Sequence, residues 1–367
     1  MSTELYLEAA SRFAHSGLDP ESLSIHCTAI AGGLINSSFK ISVGLNPPLL
    51  LQKINKNVFK QPENVQSNYL QIWNHIQGNN LPLVLPEPIP CAPQQYLYKD
   101  SNNDFWRAFG FIENSNTCAV ADTAEQAYST AATFANFTAS FSEFDTRWLH
   151  HTIPDFHNLA FRYEQLETAL ATDPIGRKTL VIEQVNEILN RKRYKVFYER
   201  IIRSTGAYPL RVMHHDAKIA NVLFNLQDNS VICAVDFDTV MPGYYFSDLG
   251  DMIRSMACSV EEGSTDFESI HIKRDIYRAI HAGYLSVMGS KLTAAELQHI
   301  HHPGLIMIYM QAMRFLTDHI NGDIYYKINY EGQNLDRARN QLTLLIKLEE
   351  MLVADYKYDL GEPSPLK

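Results

Sequence analysis

The segment Arg211–Asn225 reads R-V-M-H-H-D-A-K-I-A-N-V-L-F-N, and it spaces His214, Asp216, Lys218 and Asn221 as H-x-D-x-K-x-x-N. Transfer of a phosphoryl group to an alcohol needs little covalent help from a protein. It needs a carboxylate that orients the hydroxyl and accepts its proton, and oxygen ligands for a cation that neutralises phosphate charge. The interval between Asp216 and Asn221 is that of a kinase catalytic loop, where the aspartate is the base and the asparagine a metal ligand. Asp216 is therefore the candidate base. Lys218 is placed to reach the transferred phosphate and stabilise its developing charge, and His214 to hold the loop.

Beyond Asn221, A-V-D-F-D puts Asp236 at the end of an apolar run, and the intervening Asp228-Asn229 suits a hairpin turn. Loop, hairpin and carboxylate in this order predict that Asn221 and Asp236 ligate one magnesium ion, which bridges phosphate oxygens. A single H-x-D-x-x-x-x-N arises by chance in many chains; the second carboxylate at the right distance makes the pattern specific. Asp238 serves either a second metal or the acceptor, or it stabilises its own turn. In S-D-L-G-D-M-I-R, the residues Asp248, Asp251 and Arg254 share one helical face, as hydroxyl-binding groups or as a closed ion-pair network. Arg314 and Asp318 stand four apart, either facing the same cleft or forming a surface salt bridge. His150, His151 and His157 lack a compact ligand spacing and read as loop packing or acceptor contacts.

The elements that must position these groups fall into two textures. Residues 4–15 have helical periodicity; short β-rich runs at 24–31, 38–43 and 48–54 follow, separated by Gly, Asn and Pro. Pro62 opens a helix to about Ile76, the proline-rich stretch 81–93 is an extended connector, and strands are expected at 95–99 and 105–111. After Asn114 long amphipathic patterns dominate, at 122–142, 159–171, 178–202, 266–287, 293–320 and 334–355. One β island interrupts them, at 222–225 and 231–237. The expectation is an α+β fold with two lobes, a small β-rich one (1–113) and a large helical one (114–367).

Composition narrows the function class. A formal charge of −10 leaves no basic footprint for nucleic acid. The five cysteines are scattered without a C-x-x-C pair, which fits free thiols in a reducing compartment. The first residues, carrying Glu4 and Glu8, have no apolar core of a secretory signal, and no stretch approaches the ~18 apolar residues of a membrane span. A cytoplasmic location and no membrane partner are the expectation. No G-x-x-x-x-G-K-[ST] occurs, so a P-loop nucleotide site is disfavoured. Gly32 and Gly33, between two expected strands, would let backbone amides approach ATP phosphates, or simply form a hairpin turn.

The run H-H-D-A-K-I-A-N followed by V-D-F-D-T-V-M-P-G-Y-Y-F-S-D-L-G-D-M-I-R resembles the aminoglycoside phosphotransferase superfamily, and within it the N-acetylhexosamine 1-kinases. L-L-Q-K-I-N-K-N-V-F-K, W-R-A-F-G-F-I-E, T-I-P-D-F-H-N and the stretch 313–341 extend the likeness over nearly the whole chain. The D-T-V-M-P-G run and 313–341 are its specific part; the loop motifs are shared by the superfamily. The resemblance implies a protein-kinase-like fold with the site in the interlobe cleft. It implies transfer of the ATP γ-phosphoryl group, with magnesium, to the anomeric 1-hydroxyl of N-acetylglucosamine or N-acetylgalactosamine. Asp216 is then the base and Asn221 and Asp236 the metal ligands. Superfamily members place a lysine on the third strand against the phosphates; here Gln52 or Lys53 would take that place, and Lys53 is preferred, with Glu63 as its partner or as a helix-dipole residue. Trp106–Glu113 would supply the strand and hinge beneath the adenine, with Glu113 at the cofactor. Asp238, Asp251, Arg254 and Arg314 would line the acceptor pocket. Ala217 and Ala220 depart from the usual threonine and asparagine, which touches acceptor preference more than activity. The alternatives are a kinase of the same superfamily for an aminoglycoside, an amino alcohol or another sugar, and a silent sensor of sugar or nucleotide.

Overall fold

The computed structural model describes residues 3–14, 25–30, 35–44 and 46–361. They form two compact units. The first draws on the chain up to Asn116 together with Glu143–Pro154 and Leu223–Pro242; the second on Thr117–Ser142, Asp155–Val222 and the chain from Gly243 on.

In the first unit, α1 (Thr3–Phe13) precedes three antiparallel strands, β1 (Ile25–Ala29), β2 (Ser37–Val43) and β3 (Leu49–Ile54). Then come α2 (Pro62–Gly78), β4 (Pro88–Ile89), β5 (Tyr98–Lys99), β6 (Phe105–Gly110) and β7 (Ser115–Asn116). The sheet order is β1-β2-β3-β6-β4, with β5 also on β6. Alternation along the strands decides its faces. Ile41, Val43, Leu51, Trp106 and Ala108 turn to α1, whose Ala9 and Ala10 are small enough for close packing beside Phe13. The opposite face receives α2: Tyr69 meets the edge of Phe109 at 4.8 Å. Pro62 begins α2, where a missing N–H costs nothing, and the prolines after it keep the chain extended until Pro88–Ile89 pairs with β6.

The second unit is built of helices. The chain runs through α3 (Ala124–Ser140), α4 (Leu159–Thr172), α5 (Ile182–Leu189), α6 (Arg193–Arg203) and the short β8 (Arg211–Met213). It returns to the first unit with β9 (Val222–Asn225) and β10 (Val231–Ala234), β9 lying between β7 and β10. After β11 (Met241–Gly243) come α7 (Phe246–Met256), α8 (Arg274–Met288), α9 (Ala294–Gln298), α10 (His302–Ile320) and α11 (Gln333–Tyr356). The second turn of α10 onward is buried almost all round, and it packs on α4, α7 and α11. Helices α3 and α8 approach so closely that a Cβ on Gly283 would lie 2.2 Å from the backbone oxygen of Tyr128. No helix among the described residues is long and apolar enough to cross a membrane.

Three expected helices are shorter or broken. The pattern at 178–202 yields a 3₁₀ turn at Lys178–Val181, then α5 and α6. The chain tightens to i→i−3 hydrogen bonds at Arg191 and Lys192, where Arg191, Arg193 and Tyr194 all donate to Glu349 of α11. That tertiary anchor overrides the local period. The pattern at 266–287 becomes helix only at Arg274, since Asp266 accepts from Ser269 in a turn and Ile272 bridges to Cys258. The pattern at 293–320 splits because Pro303, at the start of α10, cannot continue α9. The strand expected at 95–99 keeps only Tyr98–Lys99, and the strand before Asp236 ends at Ala234.

Candidate active site

In the second unit, β8 delivers the chain to the loop that carries Asp216. His215 takes a left-handed φ of +66°, and Ile219–Asn221 close the loop with a 3₁₀ turn. The Asp216 carboxylate accepts from Lys218 Nζ (2.8 Å) and from Asn221 Nδ2 (2.7 Å), and the same Nδ2 donates to the Asp216 carbonyl (2.8 Å). Asp216, Lys218 and Asn221 are thus one hydrogen-bonded group. Burial works against ionisation of Asp216, but Lys218, His214 and the Asn221 amide outweigh it and hold the carboxyl below its ordinary range.

The loop is fixed from beneath by Asp248 in the first turn of α7. Its two oxygens accept from the backbone N–H groups of His214 (2.9 Å) and His215 (2.7 Å). Asp248 is fully buried, and burial pushes its pKa up to about 7 against the lowering by those two donors. His214 packs edge-on against Phe134 at 5.0 Å and receives the Asp216 N–H on Nδ1, the holding role its position implies. Gly243 admits His215: a Cβ there would fall 2.6 Å from two atoms of the imidazole.

Farther along α7, Asp251 accepts from Arg254 Nε (2.9 Å), whose Nη1 donates to Glu262 (2.5 Å). Both ends of the expected face are therefore used in a closed structural network. Arg314 is not the partner of Asp318. Asp318 accepts from the backbone of Tyr325 (2.8 Å) and Tyr326 (2.9 Å) and from Asn334, while Arg314 lies over the rings of Phe156 (5.3 Å) and Tyr326 (5.6 Å). Those two backbone donors meet Asp318 because the chain after α10 turns back on it, which an i,i+4 reading does not see. His157 stacks on Phe156 at 4.5 Å and approaches His215, Nδ1 to Nδ1 at 3.2 Å. Its pKa is far below the ordinary value, through burial and then through His215 and the surrounding arginines.

In the first unit, Asp236 is exposed and holds a left-handed φ of +65° at the head of the 3₁₀ turn Phe237–Thr239. Aspartate tolerates that conformation better than most residues. Asp238 is buried and accepts from Arg107 Nη2 and from Asn36 Nδ2 (2.6 Å). The expected lysine of the third strand faces elsewhere. Lys53 pairs in the sheet with Trp106, on the α1 side, and forms an ion pair with Asp104. Gln52, one residue earlier, pairs with Arg107, and its Oε1 accepts from Arg107 Nη2 at 2.9 Å. A one-residue step in a strand reverses the face, so Gln52 and Arg107 share the side of the sheet that meets Asp238. Glu63 is exposed at the start of α2. Glu113 is within 3.5 Å of Lys40, whose Nζ lies over Phe111. Gly32 and Gly33 lie outside the described residues.

Sequence reasoning passed over Arg107 and Asn36, and weighed Gln52 only as the alternative to Lys53. One signal was present: Arg107 is the only charge within F-W-R-A-F-G-F, and a charge inside a central strand requires a partner. Among the described residues no group of three or more His, Cys, Asp and Glu is arranged to hold a metal alone. A kinase ion needs only one or two protein oxygens, with phosphate and water completing the shell. The oxygen donors of Asp236 and Asn221 suit magnesium in kind.

A β-sheet unit followed by a helical one, with an H-x-D-x-K-x-x-N loop before a D-F-D turn, defines a phosphotransferase of the kinase-like class. The chain belongs to the phosphotransferase enzyme family, whose model matches residues 26–271. Solved structures share the fold. An aminoglycoside phosphotransferase of Alicyclobacillus acidocaldarius is 12% identical with a TM-score of 0.61, over 93% of this chain and 98% of that one. A choline kinase of Cryptosporidium parvum is 14% identical with a TM-score of 0.57, over 97% of each chain. An amicoumacin kinase bound to AMP-PNP and Ca2+ is 12% identical with a TM-score of 0.57, over 94% of this chain and 93% of that one.

Proposed function

We propose that this protein transfers the γ-phosphoryl group of ATP to a hydroxyl of a small molecule, and that the acceptor is the anomeric 1-hydroxyl of an N-acetylhexosamine. The observation that carries the reading is the Asp216 carboxylate, held ionised by Lys218 and Asn221 on a loop pinned by Asp248. An ionised carboxylate on a rigid loop can orient an acceptor hydroxyl and take its proton as the new phosphate ester forms. Lys218, paired with Asp216, would stabilise the charge that develops on the transferred phosphate. Asn221 Oδ1 and the exposed Asp236 carboxylate would hold a divalent ion, which when bound neutralises charge on the phosphates.

The amino-sugar assignment is supported by the D-T-V-M-P-G run and the 313–341 stretch. Arg314, laid over Phe156 and Tyr326, is the acceptor-side group of that assignment, because a guanidinium held by rings keeps donors for hydroxyl or amide oxygens. Asp251, Arg254 and Asp238 are committed to other partners and drop behind it.

The test is a panel of acceptors incubated with ATP and magnesium, read by ADP release and by phosphorus NMR of the product. An anomeric sugar 1-phosphate from N-acetylglucosamine or N-acetylgalactosamine is expected. A product from choline, an amino alcohol or an aminoglycoside, with both amino sugars inert, would move the acceptor and leave the reaction standing. ATP left intact by every acceptor would point to the sensor reading.

A further inference from the structure

We infer that Arg107 is the positioning residue of the metal loop, fixing through Asp238 the turn that presents Asp236. The inference rests on the reading of Asp236 as a metal ligand.

Arg107 sits in the middle of β6 with its side chain only 2% exposed, and its partner Asp238 is 3% exposed. Nothing keeps a guanidinium in such a place unless its donors are used. They are used on two elements at once: Nε and Nη2 donate to Gln52 of β3 (3.2 and 2.9 Å), and Nη2 also donates to Asp238. The second oxygen of Asp238 is taken by Asn36. Around the same turn, Phe237 packs toward Tyr69 (5.8 Å), and Asn68 Nδ2 donates to the Val240 carbonyl (2.8 Å). The ring of Phe109, which meets Tyr69, lies beneath the Arg107 guanidinium at 5.0 Å.

Asp236 heads this turn in a left-handed conformation, which aspartate tolerates better than most residues but which still costs more than ordinary backbone. The residues that follow are gripped at Phe237, Asp238 and Val240, and the grip of Arg107 on Asp238 is a charged one. Lys53 cannot share the task from the other face of the sheet, where it is bound to Asp104. A lysine at position 107 would keep the charge but not the fork that reaches Gln52 and Asp238 together.

The test is a titration of Mn2+ into the full chain saturated with AMP-PNP, read by the loss of the free-ion electron paramagnetic resonance signal. Wild type, Asp236→Asn, Arg107→Met and Arg107→Lys are compared, with thermal unfolding measured in parallel. Arg107→Lys should recover the thermal stability that Arg107→Met loses, yet bind Mn2+ roughly tenfold or more weakly than wild type, the scale seen when a residue that orients a ligand is removed. AMP-PNP affinity without metal should stay within about twofold. Wild-type Mn2+ affinity in Arg107→Lys would overturn the inference, as would tighter binding in Arg107→Met, which would make Asp238 itself the ligand. If Arg107→Met does not fold, Arg107→Lys alone still decides. Should Asp236→Asn bind Mn2+ as wild type does, the metal reading fails; should it lose the ion while Arg107→Lys keeps it, only the positioning role fails.

Discussion

Asp248 gives the catalytic loop a pH signature of its own. An aspartate in the unfolded chain titrates near ~3.9, whereas burial pushes Asp248 to about 7 in the folded protein. Between these values the folded state holds a proton that the unfolded state has released, so this group's contribution to stability is full below the lower value and lost as pH rises toward the upper one. The Asp248→Asn variant lacks that term. Urea unfolding at several pH values should therefore show wild type losing stability relative to Asp248→Asn by about 1.4 kcal/mol per pH unit within the window. A parallel pH dependence of the two proteins would mean that Asp248 stays ionised throughout. Asp248 was legible as a residue of one helical face, but its contact with the backbone of His214 and His215 was not. A bond between residues 34 positions apart leaves no periodicity to read. Asp216, Lys218 and Asn221 were legible because their partners lie within the same turn.

At the level of elements, local pattern and tertiary demand agree for the strands and part company in the helices. β2, β3 and β6 turn Ile41, Val43, Leu51, Trp106 and Ala108 to α1, and each strand falls within a residue or two of its expected place. The faces of β3 were harder. Gln52 and Lys53 are neighbours with similar reach, and only the pairing with Arg107 and Trp106 decides which way each points. α5 and α6 read as one helix in sequence, since the Glu349 anchor that separates them comes from the other end of the chain. The contact between α3 and α8 yields a sharp expectation. A methyl group on Gly283 would meet backbone, which cannot rotate away, so Gly283→Ala should cost about 1–3 kcal/mol in urea unfolding. A neutral result would show that the two helices can separate without loss.

At the scale of the whole molecule, the chain enters its first unit three times, and the D-F-D turn arrives with the last of these segments. Which segments return to a unit is set by the fold rather than by any local run of residues, which is why composition and period mark a β-rich part and a helical part but not the returning segments. The most direct test of the chemistry is a comparison of wild type and Asp216→Asn at saturating ATP, magnesium and the most reactive acceptor of the panel. Phosphoryl transfer should fall by about 10²–10⁴ in kcat, the scale of a lost general base, while the dissociation constant for ATP changes by less than about threefold. Turnover close to wild type in Asp216→Asn would contradict the account.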